Sequence, residues 1–468
     1  MMLRFTNTLS GEVEEFVPLE EGKVRMYVCG PTVWDFAHIG NFRTFTFGDV
    51  LQRYLRYKGF DVTYVMNLTD VDDRIINEAA KKKISIDEMT APFIVAFNED
   101  MAALGNQDPD VQPRATEHIP EMIDIIQKLL DNGKAYESDG SIYFRITEFP
   151  AYGKLAKINF EGNIAGGSER VDTDKYDKED ARDFALWKLV EDEDATGWDA
   201  PFGRGRPGWH IECSAMSMKY LGETFDIHAG GADLKFPHHE NEIAQSEGST
   251  GKLFSKYWLH GEFLKVDNDT MSKSLGNAHT LRDVMKQGFS ALAIRYMLIS
   301  APYKKQLNFT FEGLKGAETT VARLKQFRRL VAESNGGDGS DPEVAEAVSK
   351  AVSAFENALD DDLNTARALA AIHDLVSDIN TRLTDGPLMN DDRDAVLKAV
   401  DGFNSVLGIF GEEESEEMLD EDIEKLIEER QQARANRDFA RSDEIRDQLA
   451  VRGIILEDTN DGVRWKRG

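Results

Sequence analysis

The sequence predicts an α/β fold built on a parallel sheet that an insertion interrupts, followed by a helical bundle and a small C-terminal domain. Three observations lead to this prediction. Residues 23–70 alternate between strand and helix periodicity, residues 223–247 repeat the order strand, turn and helix, and the chain after residue 315 has long helical periodicity. Strand–helix–strand order is typical of parallel sheets, because parallel neighbours need a long crossover connection.

The first strand–helix–strand unit begins at "KVRMYVCG" (23–30), where apolar residues alternate with others before a Gly-Pro turn. Apolar residues fall at helical spacing from about Ile39, and Gly59 is placed to cap the end of that helix. The segment "FDVTYVMNLTD" (60–70) predicts the second strand. Ligands of open parallel sheets bind at the carboxyl ends of the strands, so the loop that holds Cys29 is a candidate site.

The second half of the sheet is predicted from "ETFDIHAGGADLKFPHHENEIAQSE" (223–247), which is typical of a strand, a glycine turn and a helix. Between the two halves, the roughly 90 residues 111–200 have a different composition, and we interpret them as an insertion into one nucleotide-binding domain. Within the insertion, "DTDKYDKEDARD" (172–183) is a charge run that predicts a solvated loop.

Two breaks divide the helical C-terminal part of the chain. The segment "SNGGDGSD" (334–341) predicts a linker or long loop, and "GEEESEEMLDED" (411–422) predicts an acidic linker. The tail is typical of one or two charged helices with a short strand-like end. It carries nine Arg and Lys residues between 430 and 467 together with Trp465, a combination that favours RNA binding over a merely solvated helix face.

Length and composition set further limits. A chain of 468 residues is long enough for about three domains. Its two cysteines favour a reducing compartment, so the cytoplasm is the expected location. No stretch approaches the roughly 18 apolar residues of a membrane span, and the N-terminus lacks a signal-peptide pattern. The net charge of −30 is a caution against a nucleic-acid partner, although a basic stripe can lie on an acidic body.

A metal site is the main hypothesis for the two thiols, Cys29 and Cys213. His238 and Glu242 lie four residues apart in "PHHENE", on one face of a predicted helix. Two thiolates, an imidazole and a carboxylate form a plausible tetrahedral zinc site. The spacing favours this pair without excluding three other candidate ligands, and a disulfide or two inert buried thiols remain alternatives. The other candidates are His239, Glu240 and His210.

Two short motifs favour phosphate binding. In "HIGN" (38–41), a histidine and backbone N–H groups meet at a predicted helix N-terminus, where phosphate binds well. In "TMSKS" (270–274), which follows the hairpin-like "EFLKVDNDT", a lysine lies between two serines where it could neutralise a triphosphate. Each motif is weak alone, but the two together in an α/β chain are far less common by chance.

Longer stretches resemble the class I aminoacyl-tRNA synthetases, and within them the cysteinyl-tRNA synthetase family, in that family's order. The resemblance covers essentially the whole chain. The stretches are "YVCGPTVWDFAHIGNFRT", "NLTDVDDRII", "PRATEHI", "GWHIECSAM", "FDIHAGGADLKFPHHENEIAQSE", "TMSKSLGN" and "DDDLNTARAL".

The resemblance implies ATP-dependent activation of L-cysteine to cysteinyl-adenylate and transfer to the 3′ end of tRNA(Cys), with ATP used together with Mg²⁺. It implies one Zn²⁺ per chain, which binds the substrate sulfur, and a monomeric protein without membrane association. The implied zinc ligands are Cys29, Cys213, His238 and Glu242.

Roles for other residues follow from the same resemblance. His38 and Asn41 would bind ATP, and Lys273 would stabilise the departing pyrophosphate, so His38 and Lys273 are the implied catalytic residues. Four residues would form the pocket for cysteine and the adenylate. Three of them have simpler interpretations: a core aromatic for Trp209, a turn residue for Asp233 and a helix N-cap for Thr69. The four pocket residues are Gly30, Thr69, Trp209 and Asp233.

The resemblance also implies a domain organisation around a Rossmann-like catalytic domain. The boundaries are 1–110 and 201–264 for the two catalytic halves, 111–200 for the connective insertion, 265–320 for the signature-loop and stem-contact region, 321–410 for the helical bundle, and 424–468 for the anticodon-binding domain.

Two positions depart from the family pattern. Asn41 replaces the usual second histidine of the first motif, and Thr270 replaces the first lysine of the second, which removes one positive charge near the triphosphate. Two other functions are conceivable. A ligase that joins cysteine to a small amine would share the catalytic half but would not need the C-terminal part. A catalytically idle tRNA-binding protein is supported by Thr270 alone.

Overall fold

A computed structural model of the chain describes residues 2–158, 182–192, 195–271, 276–411, 416–435, 438, 441–442, 445–446, 449, 454–459 and 462–467. The chain forms two units, residues 1–410 and residues 411–468. Each unit is described by itself below.

The strands and helices follow in chain order. The strands are β1 Arg4–Asn7, β2 Glu12–Glu15, β3 Lys23–Val28, β4 Asp61–Met66, β5 Ala135–Ser138, β6 Ser141–Phe144, β7 Phe184–Leu189, β8 Gly205–Pro207, β9 Phe225–Gly231, β10 Ser255–Gly261, β11 Leu264–Val266, β12 Asp269–Thr270, β13 Leu307–Phe309, β14 Ile454–Thr459 and β15 Gly462–Arg467. The helices are α1 Ile39–Tyr57, α2 Asp73–Lys82, α3 Ile86–Ala103, α4 Ile119–Asp131, α5 Trp209–Leu221, α6 Glu240–Thr250, α7 Leu281–Met285, α8 Ala291–Ile299, α9 Phe311–Ala332, α10 Pro342–Asp360, α11 Thr365–Thr384, α12 Asn390–Leu407 and α13 Glu416–Ala435.

The central sheet of the first unit has the order β10-β9-β3-β4, and all its pairs are parallel. The predicted unit β3–α1–β4 is confirmed, because Val28 pairs with Met66 at the carboxyl ends of adjacent strands. The chain enters the second half of the sheet through β9, whose Ala229 pairs with Val28. The carboxyl ends of three strands therefore meet at one edge, where the candidate residues are found.

Helix α1 ends as its sequence predicts. Gly59 has a φ of +89°, and its amide donates to the carbonyl of Arg56 at 2.9 Å. The amide of Phe60 donates to the carbonyl of Leu55 at 3.1 Å, which completes a Schellman cap.

In the middle of α1, Asp49 binds the fully buried Arg295 of α8 at 2.6 Å, and Arg295 also donates to the carbonyl of Leu407 at the end of α12. The site-bearing helix is thus fixed to the helical bundle.

The segment between the two halves contains α4 and a separate antiparallel sheet of order β5-β6-β7-β8. Residues 172–181 of the charge run lie outside the described residues. The expectation of a solvated loop is wrong for Asp183, which is 2% exposed. Its carboxyl accepts hydrogen bonds from the hydroxyl of Tyr136 and the amide of Ile146, both at 2.9 Å. Burial of an aspartate is tolerated when its oxygens are bonded in this way.

Helices α9 to α12 form the predicted bundle, and residues 334–341 are the predicted irregular connection between α9 and α10.

In the second unit, the prediction of an acidic linker over 411–422 is wrong from Glu416 onward, because α13 begins there. Glutamate is a good helix former and is favourable in a first turn, so an acidic segment can begin a helix. The strand-like end is the antiparallel hairpin β14–β15. Among the described residues, no helix has the length and apolar character needed to cross a membrane.

Candidate active site

The first loop of the sheet places Cys29 and Gly30 directly after β3. The Gly30 amide donates to the Asn67 side-chain oxygen at 2.9 Å. A Cβ at position 30 would lie 1.7 Å from the Asn67 backbone oxygen, so only glycine allows this close approach to the end of β4. The first loop can therefore pack against the end of β4 only with glycine at position 30.

Helix α5 brings the second thiol to the first. Cys213 is 2% exposed and its Sγ lies 3.9 Å from the Sγ of Cys29. The two cysteines are free, because a disulfide needs about 2.05 Å between the sulfurs. The disulfide interpretation is therefore wrong for this structure.

His238 and Glu242 complete a group of four buried donors with the two thiols. His238 lies in the irregular turn that precedes α6, one helical turn before Glu242, and its Nε2 lies 3.1 Å from Glu242 Oε1. Glu242 Oε1 lies 3.7 Å from Cys29 Sγ. One ligand atom from each of Cys29, Cys213, His238 and Glu242 lies within 4.8 Å of all the others. The structure brings together the four residues of the zinc hypothesis.

The distances between these atoms match the edges of a zinc-centred tetrahedron. With usual zinc bond lengths, two sulfurs are about 3.8 Å apart, a sulfur and an oxygen about 3.6 Å, and a nitrogen and an oxygen about 3.4 Å. The corresponding distances here are 3.9, 3.7 and 3.1 Å. These three distances are close to the values expected for ligands of one zinc ion, so the residues present fit zinc.

A second group of donors overlaps the first and consists of Cys29, His228, His239 and Glu242. It contains one thiol instead of two, and its His239 Nε2 lies 4.0 Å from Glu242 Oε1, longer than the edge expected for two ligands of one zinc. His228 was not among the residues predicted from sequence. It lies in the buried strand β9. Strand alternation places His228 and Asp226 on the same side of the sheet, and the sequence offered no other indication of its position.

Burial keeps the imidazoles of this region neutral. Desolvation lowers the pKa of His210 and of His228 to about 3, and it also places the pKa values of His238, His239 and His260 well below the usual range. Neutral imidazole is the form that binds a metal.

Burial also raises the pKa values of Cys29 and Glu242 well above their usual ranges. A thiol and a carboxyl held out of water in this way release their protons when a cation supplies the missing positive charge.

The other candidate ligands surround the four donors. The Nδ1 atoms of His210 and His238 are 2.9 Å apart, and the Nδ1 of His239 lies 2.8 Å from the Nε2 of His260. His228 Nε2 lies 2.9 Å from Glu242 Oε2, the carboxyl oxygen that faces away from His238. Such partners orient metal-binding side chains. Glu240 points elsewhere and accepts hydrogen bonds from the amides of Gly153, Leu155 and Ala156.

Thr69 and Trp209 flank the four donors, and the structure rejects their simpler interpretations. Trp209 is 41% exposed and stacks on His238 with 4.3 Å between ring centroids, so it is not a core aromatic. Thr69 is buried beside Pro31, and the N-cap of the next helix is Asp72, so Thr69 is not that cap.

Asp233 is exposed in the turn after β9, as the turn interpretation predicts. It also lines an open cavity of about 510 Å³ together with Thr8, Lys157, Phe236 and Phe263.

The first phosphate motif lies at the N-terminus of α1. His38 is the N-cap, and its Nδ1 accepts from the Asn41 amide at 3.2 Å, while the Asn41 side-chain oxygen accepts from the His38 amide at 3.1 Å. Asn41 thus closes a capping box in place of the usual histidine. A cavity of about 250 Å³ opens beside His38, Phe36 and Thr280.

The second phosphate motif is described only at its flanks. β11 and β12 form the predicted hairpin, with Asp267 and Asn268 at φ of +51° and +69°, typical of a two-residue turn. The methyl group of Met271 lies against Gly40, and the Asn277 side chain donates to the Thr270 carbonyl at 3.2 Å. Lys273 lies outside the described residues.

Three family models match successive parts of the chain. The model described as tRNA synthetases class I (C) catalytic domain matches residues 15–319, the DALR domain matches 354–412, and the Cysteinyl-tRNA ligase anticodon binding domain matches 416–465. The last match disfavours a ligase for small amines, which would not need an anticodon-binding domain.

Full-length relatives agree with these matches. A cysteine–tRNA ligase of Solibacter usitatus is 52% identical over all of both chains, and one of Koribacter versatilis is 47% identical over all of both chains. Among solved structures, methionyl-tRNA synthetase of Mycobacterium tuberculosis in complex with methionyl-adenylate superposes with a TM-score of 0.60 at 15% identity. It covers 83% of this chain and 90% of that chain, and shows the fold.

The catalytic-domain model, which covers most of the first unit and its parallel sheet, places the chain among the class I aminoacyl-tRNA synthetases. The family models and the relatives go one step further. This chain belongs to the cysteinyl-tRNA ligase family. Its reaction is the ATP-dependent attachment of cysteine to tRNA(Cys), and its substrates are the amino acid, ATP and the tRNA.

Proposed function

We propose that this ligase recognises cysteine through one zinc ion held by Cys29, Cys213, His238 and Glu242. The observation that carries the proposal is that four buried donors of the right chemical types lie within 4.8 Å of one another at the carboxyl edge of the sheet. When bound, zinc supplies a Lewis acid that prefers thiolate to neutral hydroxyl.

The chain's own residues orient the substrate around that centre. Trp209 would wall one side of the pocket, Gly30 would line it after β3, and Thr69 would offer a hydroxyl after β4. Asp233 is exposed and lines the cavity into which the adenylate would extend. The cysteine carboxylate would face the ATP bound at the N-terminus of α1, as adenylate formation requires.

ATP would bind with Mg²⁺ at the start of α1. His38 and Asn41 fix the first turn there, and the N-terminus of a helix favours phosphate. Lys273 would neutralise the charge that develops on the departing pyrophosphate, as the family resemblance implies.

The domain roles are also part of the proposal. Residues 1–110 and 201–264 would form the catalytic domain, 111–200 the connective insertion, 265–320 the signature-loop and stem-contact region, 321–410 the bundle, and 424–468 the anticodon-binding part. We further propose that the ligase acts as a monomer in the cytoplasm.

The experiment that tests the proposed function is cysteine-dependent exchange of pyrophosphate into ATP without tRNA. We expect the wild-type chain to catalyse this exchange, and Lys273→Ala to lower its kcat on the order of 100-fold, with a smaller rise in KM for ATP, because the lysine acts where charge develops. Thr270→Lys is the matched control: the Thr270 side chain is exposed, so the added cation should leave the rate unchanged or raise it. Unchanged kinetics of Lys273→Ala would contradict the role of the lysine, and no exchange by the wild type would contradict the function.

A second experiment separates activation from tRNA recognition. Deletion of the second unit, from residue 411, should weaken tRNA charging and spare cysteine activation, because the four donors and the α1 N-terminus lie in the first unit. Arg434 lies at an exposed position of α13, and Arg434→Ala should reduce tRNA charging. Cysteine activation measured on the same variant is the control, and it should stay at the wild-type rate. Equal loss of activation and charging in the deletion would show that the tail is merely structural.

A further inference from the structure

A buried ion pair in the first unit has no part in the steps described above. Arg295 is the one charged residue in the sequence of α8, and its side chain is fully buried. Its Nη2 donates to the carboxyl of Asp49 in α1 at 2.6 Å, and Asp49 is 1% exposed. A buried ion pair is costly to desolvate, and apolar residues of similar size often stabilise a core equally well. Stability alone therefore does not account for this pair.

The guanidinium group of Arg295 also binds the ends of two further helices. Its Nε donates to the carbonyl of Leu407, the last residue of α12, at 2.6 Å. Its Nη1 donates to the carbonyl of Leu104 at 3.2 Å and to the side-chain oxygen of Asn106 at 2.7 Å, both directly after α3. Carbonyl groups at the end of a helix lack partners within it and carry partial negative charge, so they suit a guanidinium. Because the donors of an arginine are fixed in one plane, these acceptors define one orientation of α8 relative to α1.

Asp49 is fixed from the side of α1 as well. Its other carboxyl oxygen accepts hydrogen bonds from the amide of Gln107 at 2.8 Å and from Nε of Arg53 at 2.9 Å. Arg53 in turn donates from Nη1 to the carbonyl of Ser405 in α12 at 3.2 Å. Helix α1 therefore cannot turn or slide against α8 without breaking several of these bonds at once.

The ion pair is the second of two connections between the segments that carry the phosphate motifs. Helix α1 begins at the first motif, and α8 belongs to the segment that follows the second motif. Near the start of α1, the amide of Ile39 donates to the carbonyl of His279 at 2.9 Å. Asp49 lies ten residues beyond Ile39, which is about 15 Å along the helix axis. One connection would leave the helix free to pivot, whereas two separate connections fix both its position and its tilt.

We propose that Arg295 is a positioning residue for adenylate formation. Through Asp49 it fixes the start of α1, where the first phosphate motif lies, against the segment that follows the second motif. The inference rests on the proposed binding of ATP at the start of α1. Misplacement of a bound substrate by about 1 Å can cost about 100-fold in rate, even when the responsible residue is far from the chemistry.

Recognition of cysteine should not depend on this pair. The four donors lie on other elements, namely the loop after β3, helix α5, the turn before α6 and the first turn of α6. Loss of the pair should therefore affect the use of ATP and leave the zinc and cysteine sites intact, a separation that general destabilisation of the fold would not produce.

The test measures pyrophosphate exchange by the zinc-loaded full chain, well below the melting temperature of each variant. Arg295→Lys keeps the charge, but one ammonium group cannot reproduce the planar set of donors. It should lower kcat/KM for ATP about 10- to 100-fold, because the first phosphate motif is misplaced. The Kd for L-cysteine, measured by calorimetry without ATP, and the zinc content should change by less than about twofold, because distant sites are nearly independent.

Asp49→Asn breaks the same connection from the other helix and should give the same pattern, so it decides the question if Arg295→Lys does not fold. The double variant should lose no more activity than the more affected single variant, because both changes remove one connection. Losses that multiply in the double variant would show two independent effects and would contradict the proposal.

Phe403→Leu is the matched control for a loss of stability. Phe403 is 1% exposed in α12 and packs on Phe355 with 4.6 Å between ring centroids, so its truncation should lower the melting temperature. It should keep the wild-type kcat/KM for ATP. Wild-type ATP kinetics in Asp49→Asn, an equal loss of cysteine binding in that variant, or an equal loss of ATP use in Phe403→Leu would overturn the positioning role. A wild-type chain that catalyses no exchange would contradict the proposed function instead.

Discussion

Serine should be activated at least several thousand times less efficiently than cysteine in pyrophosphate exchange. The two amino acids differ by one atom at nearly the same size, and a steric pocket separates such isosteres only about a hundredfold. In the proposed zinc centre, the ion held by two thiols, an imidazole and a carboxyl would bind a thiolate far better than a neutral hydroxyl. Discrimination of about 10⁴ corresponds to about 5.5 kcal/mol.

The same account predicts that the chain has no hydrolytic editing. Seryl-tRNA(Cys) prepared separately and added to the ligase should lose serine no faster than in buffer. The predicted insertion, residues 111–200, is short for a large editing domain, and its described part contains α4 and the strands β5 to β7. Rapid clearance of the mischarged tRNA would contradict this account and assign specificity to the insertion.

Replacement of Cys213 by serine should remove most of the zinc and lower cysteine activation by more than about 100-fold. Substitution of a residue that only orients a metal ligand costs up to about 100-fold, and loss of the ligand itself should cost more. The reason is that the variant replaces a strong thiolate ligand with a neutral hydroxyl. The fold should survive, since the substitution exchanges one atom in a large core. Metal analysis, exchange kinetics and the melting temperature check the three expectations.

The control for this variant is Ser217→Ala on the same helix. Ser217 is fully buried, and its hydroxyl donates to the carbonyl of Ser214, so it is not one of the four donors. Its variant should keep full zinc and near-normal activation. Full zinc in Cys213→Ser would refute the assignment of Cys213 as a ligand.

The parts of the fold that depend on local patterns were predictable from sequence. The unit β3–α1–β4 follows from periodicity, and the end of α1 follows from Gly59, whose left-handed backbone is needed by the cap. The pair His238 and Glu242 was predicted from helical spacing, although His238 lies in an irregular turn before the helix. The two side chains still meet, because residues four positions apart lie about one turn apart in the helix and also in this irregular turn.

The features that were missed depend on contacts between distant segments. His228 lies in a buried strand and meets Glu242 only because β9 and α6 pack together. Asp183 ends a charge run, yet it is buried because Tyr136 and Ile146 bind its oxygens. Trp209 could equally have been a core residue by sequence, and its stacking on His238 in the open site depends on the docking of α5.

The central claim is that zinc binds the sulfur of cysteine, and X-ray absorption at the zinc edge of the full chain tests it directly. Without substrate, the spectrum should show two sulfur neighbours at about 2.3 Å and nitrogen or oxygen neighbours at about 2.0–2.2 Å. L-cysteine should add one sulfur neighbour, and L-serine should leave the spectrum unchanged. A sulfur count that stays at two when cysteine is bound would contradict the account.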